Sequence, residues 1–413
     1  MLPFLQFLII LAVIITAAKL GGYLSVRLGQ PAVAGEVMAG LVLGPTVLNF
    51  LHWEAFTVNH MEETFTFLAE LGALLLLFIA GLELHISDLR KSGPAAIFAG
   101  FLGFLVPLGL GFLAAILMNF DPQQSLFIGL LLAPTSVSIS AQTLIELKVL
   151  RSRVGASLLG AAVIDDTLVV LGISIFLAVL GGTGAEEISA GGSIVLLVGR
   201  MAIYLVAAIF VGWKILPRMA KWVEDLPISE GVTAFAFTIM VFYSWSAEYF
   251  GGLASIIGAF LAGLFFARTQ LKAKIRQGFS IIAYSVFIPI FFVDVGLEAN
   301  LRTLDGQALI FLAVLLFTAI ISKVIGAGVG GLLGKLSAKE SLQLGVSMVP
   351  RGEVVLIVAT VGITEGFINQ TELSVAIALV VLTTLLTPPI LRILFRNSNP
   401  ANEQSTAATD ASV

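Results

Sequence analysis

Apolar runs of about twenty residues recur from residue 4 to residue 393, each near the length that an α-helix needs to cross the hydrocarbon core of a bilayer. A chain built this way is a polytopic membrane protein. The composition agrees: 58% of the residues are hydrophobic and 12% charged, where ordinary soluble domains carry about a quarter charged residues. The first run, PFLQFLIILAVIITAAK, lacks the charged start and small-residue cleavage site of a secretion signal, and further spans follow it. It is read as a helix.

Breaking the runs at charged and Pro/Gly-rich stretches gives thirteen expected transmembrane helices, starting near residues 4, 31, 66, 93, 124, 154, 192, 230, 251, 279, 308, 339 and 371. The fold class is all-α. Basic loops surround Arg90 and Lys91, Lys148 to Arg153, Lys214 to Lys221, and Arg268 to Arg276, and they alternate with loops carrying Glu62, Asp121, Glu186, Glu187 and Glu365. By the positive-inside rule the basic set, with Lys335, Lys339, Arg392 and Arg396, is cytoplasmic, which puts the N-terminus outside and the C-terminus inside. Residues 1–395 then form one transmembrane domain. Residues 396–413 are polar and without apolar periodicity, as expected of a disordered cytoplasmic tail.

An internal repeat is visible. FIAGLELHISDLRK near residue 78 resembles FFVDVGLEANLRTL near residue 291, and the GLE triplets begin at Gly81 and Gly296. Pro134 and Pro350 sit mid-helix at nearly the same offset, so each half carries a proline-interrupted helix. Seven crossings separate the third helix from the tenth, so the halves run in opposite senses. Inverted-topology repeats with paired broken helices mark the midplane site of secondary transporters.

Asp165 and Asp166 lie deep in the sixth run, VGASLLGAAVIDDTLVVLGISIFLAVLGG. A carboxylate there costs at least about 2.5–3.5 kcal/mol on insertion scales, so such residues are kept mainly on ion or proton pathways. Neighbouring helix positions point about 100° apart, which gives the two acids different neighbours. One can face the broken helix, where freed carbonyls and hydroxyls suit a hard cation. The other can face Lys323, a lysine deep inside a span and the natural counter-charge. Protons and a cation would then compete for one site. Beside Pro134, Thr135 is the candidate side-chain cation ligand, whereas Ser136 and Ser138 either add oxygens or bond to their own backbone. Arg351 and Glu353 follow Pro350 and are expected to steady the second broken helix, because a permanently charged guanidinium neutralises carbonyl ends well and carries protons poorly. Glu36, Glu70, Glu83, Asp294 and Glu298 read as helix-end or interhelical hydrogen-bonding groups.

With these residues in place, the chain resembles the monovalent cation/proton antiporters of the second large superfamily branch, which holds bacterial Na+/H+ antiporters and the related Kef-type K+ efflux proteins. GQPAVAGEVMAGLVLGPTVLNF, LLFIAGLELHISDLRK, APTSVSIS and VIDD carry the resemblance, which covers residues 1 to about 395. It implies that Asp166 is the principal Na+ and proton carboxylate and that Asp165 pairs with Lys323; with Thr135 from the broken helix, the expected Na+ site is Asp166, Asp165 and Thr135. It further implies a homodimer and elevator-like alternating access. The core would span about 93–181 and 308–393, with two broken helices crossing and the remaining helices forming a scaffold and dimer domain. DD replaces the Gln-acid pair common in the potassium members, and their C-terminal nucleotide-binding domain is missing. Both departures favour sodium.

The leading reading is a non-enzymatic antiporter of a bacterial inner membrane, exchanging Na+ or Li+ for H+ electrogenically in the service of pH homeostasis. K+/H+ exchange of the Kef type is the alternative within transport. An intramembrane aspartyl protease would need acids on two helices, such as Asp165 and Asp294, and would leave the broken-helix repeat unexplained. A channel would need a filter or pore-lining ring, and no such pattern is visible. No cofactor is expected, because GxxxxGK is absent, the chain has no cysteine, and His52, His60 and His85 fall in predicted loops. Nucleic acid is not an expected partner.

Overall fold

The computed structural model describes residues 3–28, 30–53, 56, 61–83, 86–180 and 190–396. His60, His85, Glu186, Glu187 and nearly all of the C-terminal tail lie outside them. Among the described residues every regular element is helical. In chain order the α-helices are α1 (Pro3–Arg27), α2 (Ala32–Leu43), α3 (Met61–Glu83), α4 (Ile86–Leu117), α5 (Pro122–Leu131), α6 (Val137–Glu146), α7 (Arg153–Leu180), α8 (Ala190–Phe210) and α9 (Leu216–Glu224). They continue with α10 (Gly231–Tyr249), α11 (Ser255–Phe266), α12 (Lys272–Ile282), α13 (Ile288–Leu297), α14 (Gly306–Leu333), α15 (Ala338–Ser347), α16 (Glu353–Thr364) and α17 (Gln370–Phe395).

Among the described residues eight helical segments are long and apolar enough to cross a membrane, among them α1, α3, α14 and α17. Each of the other apolar runs also holds helix, in a different form. α2 and α11 have 12 residues each, and α10 has 19, ending in the polar SWSAEY. The last two runs are interrupted, as α5–α6 and α15–α16. Single π-helical turns, Val211–Ile215 and Ala283–Phe287, carry α8 into α9 and α12 into α13 without a break.

Local chemistry sets many of these boundaries. Asp121 accepts from the N–H groups of Gln123 and Gln124 ahead of Pro122, the first residue of α5. Reciprocal capping boxes start α15 at Ser337 and Glu340 and α17 at Asn369 and Glu372. Pro134 and Pro350 each remove a backbone donor, and the chain leaves the helix over Leu132–Ser136 and Met348–Gly352.

The inverted repeat appears as a repeated order: a long helix, a broken pair and a second long helix, first in α4–α7 and again in α14–α17. These eight elements pack together, with α14 along α4, α4 along α7 and α15 against α14. A second group forms from α1, α2, α3, α10, α11 and α13, and it meets the first mainly where α2 and α3 touch α6 and α17. Glycine makes the α4–α14 contact close. A Cβ on Gly326 would sit 2.4 Å from the Leu102 carbonyl oxygen, and one on Gly330 would sit 2.5 Å from Ala99 Cα. Lys323 shares this face, with Nζ 3.8 Å from the place a Gly103 Cβ would occupy. Gly326→Val should therefore force the helices apart and cost about 1–3 kcal/mol. Thermal unfolding in detergent checks this, and an unchanged midpoint would contradict the packing described.

Candidate ion-binding site

α7 carries both acids at mid-length, and their side chains diverge. Asp165 points into the repeat group, where Lys323 Nζ lies 2.8 Å from Oδ2 and both side chains have 0% exposure. The Thr135 hydroxyl donates to the same Oδ2 at 2.7 Å. Spacing along the helix gives the two acids separate neighbours, and the structure brings the broken-helix hydroxyl and the lysine together on the first of them. Asp166, 3% exposed, turns the other way. It lines a small cavity with Val137 at the start of α6, Leu77 of α3, and Ile256, Ile257 and Phe260 of α11. Asp166 therefore faces the seam between the two helix groups.

The interrupted segments bind each other. Ser136 N–H donates to the Pro350 carbonyl at 2.7 Å, and the Ser140 hydroxyl donates to the Ser347 carbonyl. Four helix ends thus converge: the N-termini of α6 and α16, with outward N–H groups, and the C-termini of α5 and α15, with outward carbonyls. The N-termini favour carboxylates and the C-termini favour cations.

Arg351 is wholly buried at this crossing. Its guanidinium donates to the carbonyls of Met348 and Val349 at 3.2 and 3.1 Å, and to that of Ala319 in α14 at 3.2 Å. Its own N–H donates to Thr383 Oγ1, and its carbonyl accepts from Thr384 Oγ1. One side chain thereby ties the second break to α14 one turn from Lys323, and its backbone is held by α17. Glu353 opens α16; its side chain lies outside the described residues. Thr383, Thr384 and Ser140 were not singled out from the sequence, since hydroxyls in apolar helices usually bond to their own backbone.

Several oxygens here have no protein partner: Asp165 Oδ1, Ser136 Oγ and Ser138 Oγ. Neither serine takes the backbone bond that would have made it inert. Carboxylate and hydroxyl oxygens, with the outward carbonyls of the α5 and α15 C-termini, suit a hard monovalent cation. The lysine and arginine hold the balance of charge. Removing one partner of a buried pair leaves the other uncompensated, typically at about 3–5 kcal/mol. Lys323→Ala should accordingly lower the unfolding midpoint sharply, and adding Asp165→Asn should restore most of it. Equal loss in the single and double variants would show that the pair is not what stabilises this region.

A sequence profile described as "Sodium/hydrogen exchanger, transmembrane" matches residues 10–397. The chain is 34% identical over 400 residues to the Na+/H+-K+ antiporter GerN of Bacillus cereus, covering 97% of this chain and 99% of that one. It is 30% identical over 427 residues to the high-affinity Na+/H+ antiporter NhaS3 of Synechocystis, covering 95% and 90%. In fold it is similar to the sodium proton antiporter MjNhaP1 of Methanocaldococcus jannaschii, with a TM-score of 0.67 at 19% identity over 96% of this chain and 98% of that one. The repeated broken helices and the match along nearly the whole length lead to one conclusion: this chain belongs to the sodium/hydrogen exchanger family.

Proposed function

We propose that the protein is a secondary antiporter that exchanges Na+ or Li+ for protons by alternating access, with Asp166 as the shared carrier of cation and proton. The observation that carries this reading is the division between the two acids: Asp165 is already neutralised by Lys323, while Asp166 faces the seam between helix groups beside the N-terminus of α6. Sodium/proton exchange is also the activity in the names of GerN and NhaS3.

The chemistry follows from charge. A cation needs Asp166 ionised, so a proton and Na+ exclude each other there. A cation seated between the acids also draws on Asp165, and Lys323 then holds an uncompensated charge in a buried place. Losing its proton removes that cost. Two protons then move against one cation, and exchange is electrogenic.

The repeat group, about 93–181 and 308–393, is proposed as the moving core, and the other helices as the scaffold. Loop charge supports thirteen crossings with the N-terminus outside and the C-terminus in the cytoplasm of a bacterial inner membrane. The homodimer rests on the family resemblance.

Everted vesicles with a quenched pH dye test the reading. Na+ and Li+ should dequench, and Asp166→Asn should abolish the response. With two protons displaced per cation, the apparent KM for Na+ should rise about a hundredfold per unit of falling pH once both groups are protonated, and about tenfold per unit where only one is. A second reading, K+/H+ exchange, is favoured by the K+ in GerN's name; dequenching by K+ alone would establish it and overturn the sodium reading.

A further inference from the structure

The polar residues of α6 continue beyond the ion site. Ser138, Gln142 and Glu146 recur at intervals of four, so they share one face of the helix. Ser138 stands in the first turn of α6, two residues past Ser136, which bonds the second break at Pro350, and Glu146 ends the helix on the side of the basic loop 148–153. The face therefore runs from the ion site to that end of the molecule.

Two observations separate this face from an ordinary helix surface. The first is unspent oxygen. Ser138 is 0% and Gln142 6% exposed, yet Ser138 Oγ and Gln142 Oε1 have no protein partner. Thr143 on the same helix shows the usual alternative, donating to the Ile139 carbonyl at 2.8 Å. A buried oxygen without a partner costs stability unless something else fills the role.

The second is where the face ends. Glu146 Oε2 accepts the Ala32 N–H at 2.7 Å and also bonds the Val33 N–H, while Gln142 Nε2 donates to Oε1 at 2.9 Å. Ala32 and Val33 form the first turn of α2, whose N-cap is Pro31, with no side chain able to cap it. A carboxylate from the repeat group thus caps a helix of the other group, satisfying N–H groups that the sequence of α2 leaves open. Glu36, one turn further along α2, is buried and within electrostatic reach of Glu146.

We infer that the Ser138–Gln142–Glu146 face is the route by which a monovalent cation passes between the basic-loop end and the aspartates, and that Glu146 is its gate. The inference rests on the antiport reading. While Glu146 caps α2 the route is shut, because the carboxylate is spent and α6 is fastened to α2. When α6 moves past α2 the cap breaks. The freed carboxylate then draws a cation to the waiting oxygens of Gln142 and Ser138, which replace part of its water shell.

The chain has no cysteine, so introduced thiols report without interference. In everted vesicles, joining the thiols of Ala32→Cys/Glu146→Cys with a short bifunctional thiol reagent that holds a cleavable disulfide should tie α2 to α6 and stop Na+/H+ exchange, and reductant should restore it. Exchange at the reduced rate in fully cross-linked protein would overturn the gate. Glu146→Gln, which keeps an acceptor for α2 and loses the charge, should raise the KM for Na+ several-fold with kcat nearly unchanged. A fall in kcat and unfolding midpoint at constant KM would mark a structural cap and contradict the proposal. Gln142→Cys covers the case in which the reduced double variant is itself inactive. A membrane-impermeant charged thiol reagent should label it from the basic-loop side, and Na+ should slow the labelling. No labelling from either side would remove the route. Wild-type chain in the same vesicles separates the two levels: absence of exchange there defeats the antiport reading, while labelling of Gln142→Cys still tests the route.

Discussion

The buried pair of Asp165 and Lys323 is the constraint on which the site depends. Each half of the inverted repeat supplies one member, α7 the acid and α14 the lysine, and neither charge is stable at that depth without the other. The pair is served by the close approach of α14 to α4 that the glycines at 326 and 330 permit, which seats the lysine between helices. The pair explains why two adjacent aspartates can act differently. Asp165 is paired with a cation, whereas Asp166 faces the seam between the helix groups.

The crossing of the broken helices is the second element of that arrangement. Four helix ends meeting in a bilayer would leave backbone groups unsatisfied. Ser136 and Pro350 bond across the gap, Arg351 gathers carbonyls from the break after α15 and from α14, and Thr383 and Thr384 hold the arginine's own backbone. What remains open is mostly oxygen, in Asp165, Ser136 and Ser138. Arg351 thus places a permanent positive charge beside the crossing, one turn along α14 from Lys323.

The sequence exposes much of this and hides a definable part. Membrane helices announce themselves by apolar length, and charges inside them by contrast, so Asp165, Asp166, Lys323 and Arg351 stand out against their runs. Pro134 and Pro350 mark the breaks because a missing N–H has one local consequence. Contacts between distant residues leave no such trace. Thr135 meeting Asp165, Ser140 reaching Ser347, and Thr383 supporting Arg351 depend on tertiary packing, and hydroxyls in helices commonly serve their own backbone. Glu146 escapes for another reason. It looks like a loop-edge charge in the sequence, and its significance comes from α2 having a proline where its cap should be.

The central claim is that cation and proton compete for one carboxylate. Calorimetric titration of Na+ into purified protein, in buffers of different ionisation enthalpy at one pH, tests it without transport or membrane. Competition expects the observed binding enthalpy to vary linearly with buffer ionisation enthalpy, with a slope showing proton release, and expects Asp166→Asn to bind no Na+. Sodium binding with zero slope, or undiminished binding in Asp166→Asn, would contradict it.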